Sequence, residues 1–323
     1  MSTLALRGPA RIVVRQHRLV LWTTGALALA GIALLAGAWW WTSRTGDAFA
    51  GTGCSVEHTV RGCGIDVRHF LSVELHFSRL VRYAGVVMMV LPALIGVFVA
   101  GPMIGRELED GTYRLSWSQS VTPARWLAAK LAVPAVLTVA GVSVLSAVFA
   151  WAWSRTSGTH YPAPWFEWEV YGAMGPAPVG HALLCLALGA LAGLLIRRAL
   201  PAMAVTVVAY SAVIVVLNSV RHGLWPLRTD TVPLGSEIRY PSVAADVAVG
   251  WVTGDGTRLS GTTCTEAADT AACLVRHGAT ARYIDYHPAS HFWPLQLVET
   301  GILLVLAAAA VALAFRVLRR RHA

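Results

Sequence analysis

Long apolar runs separated by short charged stretches dominate the pattern of this chain. Six of them approach or exceed the roughly 20 residues that a helix needs to cross a bilayer. They fall at about 19–41, 83–104, 130–153, 179–196, 200–220 and 293–315. The pattern predicts an all-α integral membrane protein with six transmembrane helices. Polar segments at 42–82, 154–178 and 221–292 alternate with charged ones at 1–18, 105–124 and the carboxyl end.

Within the 221–292 segment two shorter features stand out. Residues 265–274 read as a short helix, with Thr265 as N-cap and Gly278 beyond its end. The apolar stretch 243–252 is too short to span and reads as a re-entrant or surface-lying segment.

Composition agrees with a hydrocarbon environment. Hydrophobic residues make up 56% of the 323 positions and charged residues only 13%, against about 25% charged in a soluble domain. The net charge of +9 does not indicate nucleic acid, because the basic residues flank the apolar runs. About 14 of them crowd into roughly 55 positions of the amino terminus, the stretch 105–130, the Arg197–Arg198 turn and the tail. About 12 are spread over some 140 positions of the alternate segments. The positive-inside rule therefore puts both termini in the cytoplasm and the segments 42–82, 154–178 and 221–292 outside. Ala48-Phe49-Ala50 resembles a signal cleavage site. The apolar run before it exceeds a signal h-region of about 7–15 residues, so the first span is read as retained.

Four of the five cysteines fall in the expected outer segments, as Cys54 and Cys63, and Cys264 and Cys273. Outside a reducing pool they are expected to form disulfides. Four cysteines allow three pairings, of which the two local ones are favoured, giving a disulfide-bearing extracellular loop region. Zinc is the rival reading, without a histidine spacing that matches a structural site. No metal ligand set is assigned. Cys185 lies inside the fourth span as a small apolar residue.

Lys130 is the only lysine and sits in Leu127-Ala128-Ala129-Lys130-Leu131, without the glycines of a phosphate-binding P-loop. The chain therefore lacks a nucleotide site of that type. Neither a His-Glu-x-x-His pattern nor a Gly-x-Ser-x-Gly elbow occurs. No catalytic residues are assigned. Intramembrane polar groups are functional suspects by default. Glu299 in the sixth span is one, and its structural alternative is to reach the interface or to pair with His181 of the fourth span. Gly189-x-x-x-Gly193 fits close helix packing.

The most informative stretch runs from Gly101 to Lys130. It holds a charged helix end, Arg106-Glu107-Leu108-Glu109, closed by Gly111-Thr112. Thr122 and Pro123 then have the chemistry of an N-cap and first-turn proline that restart the next helix. This stretch, with Ser118-Gln119-Ser120-Val121, Arg125-Trp126 and Lys130, resembles the cytoplasmic loop of ABC-2-type permeases, the membrane subunits of ATP-binding-cassette exporters. Arg15-Gln16-His17-Arg18 and the late run Tyr286 to Gln296 with Glu299 are similar to actinobacterial members, with His291 where arginine is expected.

The resemblance implies a six-helix permease in the bacterial cell membrane whose 105–124 loop is a coupling helix seated on a separate ATPase subunit. Arg106, Glu107 and Glu109 would be its docking charges, with Gly111 and Thr112 at its turn. Residues 11–18 resemble a connecting helix along the inner leaflet. ATP and magnesium would bind the partner ATPase, with no cofactor in this chain. A second permease copy, identical or different, would complete the pathway. A non-transporting sensor or immunity protein of the same fold is the alternative, and an intramembrane enzyme the third reading.

Overall fold

Six helices are long and apolar enough to cross a bilayer in the computed structural model, which describes residues 18–58, 61–112, 122–236 and 244–322. In chain order the elements are α1 (Arg18–Ala50), α2 (Gly64–Ile95), a π-helical turn (Gly96–Ala100), α3 (Gly101–Glu109), α4 (Pro123–Ser154) and the one-turn α5 (Trp168–Tyr171). They continue with α6 (Ala177–Ile196), α7 (Ala199–Val220), β1 (Arg228–Pro233), β2 (Ala245–Thr253), β3 (Arg258–Ser260), α8 (Thr270–Arg276), β4 (Ala279–His287) and α9 (Phe292–His322). The amphipathic stretch 11–17 and residues 113–121 of the charged loop lie outside the described residues.

The chain divides into two compact units. Unit 1 comprises Met1–Ala163, Glu167–Ile214 and Thr300–Ala323. Its centre is α6, which packs against α2, the π turn, α3 and α4. The approach is close enough to exclude side chains: a Cβ on Gly189 would lie 2.4 Å from the carbonyl oxygen of Gly96. Small residues permit such backbone contact between membrane helices, where packing rather than water exclusion drives association.

From Gly64 to Glu109 the chain is helical throughout, 46 residues or about 69 Å at ~1.5 Å per residue. That is more than twice the ~30 Å of a bilayer core. The sequence pattern treated 42–82 as a loop. Instead α1 continues to Ala50 and α2 begins at Gly64. The reason is a helical stripe: Val67, Glu74, Phe77, Ser78, Val81, Gly85 and Met88 are all buried. Phe77 meets Trp39 of α1 with ring centroids 5.6 Å apart, and Phe70 stacks on Phe49 at 4.4 Å. The turn between these helices is closed by the Cys54–Cys63 disulfide.

Unit 2, Pro164–Phe166 with Val215–Glu299, corrects the all-α expectation. It holds a four-stranded antiparallel sheet in the order β1-β4-β2-β3. The apolar stretch at 243–252 is not a surface-lying membrane segment. Most of it is strand β2, whose Val249 packs on the buried Ile284 and Tyr286 of β4. The short helix is present but starts later than expected, at Thr270. Asp269, not Thr265, caps it by accepting from the Ala272 amide at 2.9 Å. Gly278 follows its end with φ +72°. The second local disulfide, Cys264–Cys273, ties this helix to the turn before it. His277 lies near these two sulfurs, which are bonded to each other.

Candidate functional site

The charged stretch singled out in the sequence ends α3 where four helices meet. Ile104, Trp126, Leu127, Leu131, Ala190 and Leu194 are buried together with Ala314 and Leu318, drawing on α3, α4, α6 and α9. This apolar cluster fixes the last turn of α3, so its side chains leave from a defined base.

Glu107 uses both carboxylate oxygens on α4. Oε1 pairs with Lys130 Nζ, and Oε2 accepts from Trp126 Nε1 at 3.1 Å. Trp126 and Lys130 stand four residues apart, so they share one helix face. That spacing was the available sign that α4 presents two donors to one acceptor. Glu109 turns to another element: its Oε2 accepts from the Ala199 amide at 3.2 Å. Ala199 is the first residue of α7, whose opening amides lack intrahelical partners. A carboxylate there satisfies a donor and complements the helix dipole.

Gly111, with φ +69°, takes the left-handed conformation that follows many helix ends. Thr112 Oγ1 donates back to the Glu107 carbonyl at 3.4 Å. Thr122 caps α4, its hydroxyl accepting from the Arg125 amide at 3.4 Å, with Pro123 in the first turn as the sequence indicates. Between α6 and α7, Arg197 itself adopts φ +58°, a conformation that costs a non-glycine residue of order 1 kcal/mol or more.

The result is a division between inward and outward charge. Lys130 is buried, and Glu107 is committed to it. Arg106, Arg125, Arg197 and Arg198 are exposed, together with Glu109 and Asp110. This end of unit 1 thus offers an arginine-rich surface anchored on several helices.

A family model described as ABC-2 membrane transporter related matches residues 25–221. The chain belongs to this family. No characterised protein and no solved structure matched it. As an ABC-2 family member with six spanning helices it is a multi-pass membrane protein and a transporter permease.

The remaining sequence candidates of the permease are distributed over both units. Glu299, 1% exposed, faces the Arg221 guanidinium at 3.3 and 3.4 Å within unit 2. Sequence reasoning did not single out Arg221 as a partner, although it closes the fifth span. His181 lies edge-on to Tyr210 within unit 1, with ring centroids 5.8 Å apart. Gly189 and Gly193 both line the α6 face that meets α3 and the π turn. Cys185 is buried.

Proposed function

We propose that this permease forms half of an export pathway and is driven by a separate ATP-binding-cassette ATPase docked on the arginine-rich end of unit 1. The observation that carries this reading is the contrast between the engaged Glu107 and Glu109 and the exposed Arg106 and Arg125. The carboxylates hold the end of α3 to α4 and α7; the arginines remain available to an acidic groove on a partner. In this reading Gly111 and Thr112 shape the turn of a coupling segment over 105–124, while docking falls to Arg106 with Arg125.

A permease alone has no source of free energy. Nucleotide binding on the partner must favour one conformation by several kcal/mol to move most of the population. A helix end tied simultaneously to α4, α6 and α7 is suited to pass that bias on. ATP and magnesium belong to the ATPase, and a second permease copy completes the pathway. The density of arginine at this end and at the chain termini supports its facing the cytoplasm of a bacterial cell membrane.

The test is purification of the tagged chain from its own membranes in mild detergent, followed by mass spectrometry of what accompanies it. An ATPase should co-purify, and Arg106→Glu with Arg125→Glu should remove it while leaving the permease thermal midpoint unchanged. Retention of the ATPase by that double variant would refute the docking assignment.

A further inference from the structure

Unit 1 carries a second group of charges on the connection between α4 and α6. Glu167 precedes α5 and Glu169 lies within it. Arg82, on α2, places Nη2 2.7 Å from Glu167 Oε1. Glu169 is only 8% exposed. Glu167 Oε2 and Glu169 Oε2 are both shielded from solvent, and neither has a hydrogen-bond partner among the described residues. Glu169 stands two positions along the chain from Glu167 and is close enough to act on its carboxyl group.

Charge and proton bookkeeping narrow what this arrangement means. One guanidinium balances one carboxylate. A second ionised carboxylate beside the first would leave a buried negative charge uncompensated, which is strongly unfavourable. Ionised carboxylates are also acceptors only, so two of them have no hydrogen to place between them. We propose that Glu167 and Glu169 form a proton-binding site, a carboxyl–carboxylate pair that holds one shared proton and fastens α5 to α2 through Arg82.

The backbone supports that fastening. The amides of Val170 and Tyr171 both donate to the Glu167 carbonyl, at 3.0 and 2.8 Å. Gly85 of α2 lies so near that a Cβ there would come within 2.5 Å of the Glu169 carbonyl oxygen. The charged groups acting on Glu167 are Arg82 from α2 and Glu169 from its own segment. Burial, the largest influence, pushes the Glu167 carboxyl above its ordinary range; Arg82 opposes this and Glu169 adds to it.

A metal ion fits poorly. Calcium takes six to eight oxygens, whereas two buried carboxylate oxygens are unclaimed, beside a guanidinium that repels cations. A proton needs one lone pair from each partner. On losing it, the pair repels and the hold of α5 on α2 weakens.

Infrared titration of the full chain in detergent micelles, paired with thermal unfolding against pH, tests this. A protonated carboxyl absorption should persist above about pH 5.5, where exposed glutamates, with pKa near 4.3, have lost theirs. Glu169→Gln should abolish that absorption while keeping the Glu167–Arg82 pair. It should also remove the fall in thermal midpoint that the wild type shows as pH rises from about 4.5. Glu167→Gln should abolish the absorption independently, and Glu57→Gln, at an exposed position, should leave it intact. Absence of the absorption in wild type would overturn the proposal, as would its survival in both variants. So would its displacement by sodium or calcium at constant pH.

Discussion

Lys130, the only lysine of the chain, pairs with Glu107 across 23 positions of sequence and so joins α4 to the end of α3. Its side chain is 10% exposed and that of Glu107 26%. Breaking a fully buried pair costs about 3–5 kcal/mol because a charge is left uncompensated. Here partial access to solvent reduces that cost. Lys130→Met should therefore destabilise the permease by roughly 1–3 kcal/mol, read as a lower thermal midpoint in detergent. Adding Glu107→Gln should recover part of the loss. A midpoint unchanged in Lys130→Met would show that the pair does not hold α3 in place.

The contact between Gly189 and the Gly96 carbonyl gives a steric prediction. No side chain fits at 2.4 Å from a backbone oxygen. Gly189→Leu should force α6 away from the π turn, at a cost of about 1–3 kcal/mol or more by the overpacking rule. Gly141, where a Cβ would meet nothing within 4 Å, provides the control. Gly141→Leu should unfold near the wild-type temperature; equal losses from both substitutions would remove the steric argument.

Much of this architecture is legible in the hydropathy of the chain, because a spanning helix must be apolar over most of its length. The helical extension over 64–82 is not, since Glu74 and Ser78 stand within its buried stripe and interrupt any apolar run. Glu74 is held there by His160, which donates through its backbone amide and contacts it through Nδ1 at 2.8 Å. Strand β2 escaped because its apolar residues occupy a length shared by strands and short membrane segments. Its partner β4, more than 25 positions later, decides between them. At the charged end, the residue types at 106–109 were legible but their directions were not. Glu109 reaches an amide 90 positions away, a pairing that only the helix packing brings about.

The local disulfides allow a third prediction. Cys54 and Cys63 are nine positions apart, and closing a loop of that size restricts the unfolded chain by roughly 2–3 kcal/mol. Reduction, or Cys54→Ala with Cys63→Ala, should lower the unfolding midpoint correspondingly, without removing the long helices seen by circular dichroism. An unchanged midpoint would mean that this turn is held by its helices alone.

His287 supplies a pH dependence. It is 1% exposed, and burial holds its imidazole below the ordinary histidine range. Its Nε2 lies 3.2 Å from the His222 carbonyl and its Nδ1 3.0 Å from His291 Nδ1. The carbonyl can only accept, so Nε2 carries the hydrogen and Nδ1 accepts from His291. Protonating His287 would destroy that acceptor. Because the folded-state value is depressed, the unfolded chain binds more protons just below pH 6.5. Stability is complete above about pH 6.5 and declines as pH falls through the lower native value. His287→Gln should flatten this acid limb in unfolding measured from pH 7.5 to 5; an unaltered limb would assign it elsewhere.

Sidedness is the most direct test of the ATPase-driven account. The native cysteines are suited to it, since four are paired in disulfides and Cys185 is buried. Arg125→Cys and Asp255→Cys, both at exposed positions, can be treated with a membrane-impermeant maleimide in vesicles of either orientation. The account predicts labelling of Arg125→Cys only in inside-out vesicles and of Asp255→Cys only in right-side-out ones. Labelling of Arg125→Cys from the external face would leave a cytoplasmic ATPase no surface to grip, and would contradict the account.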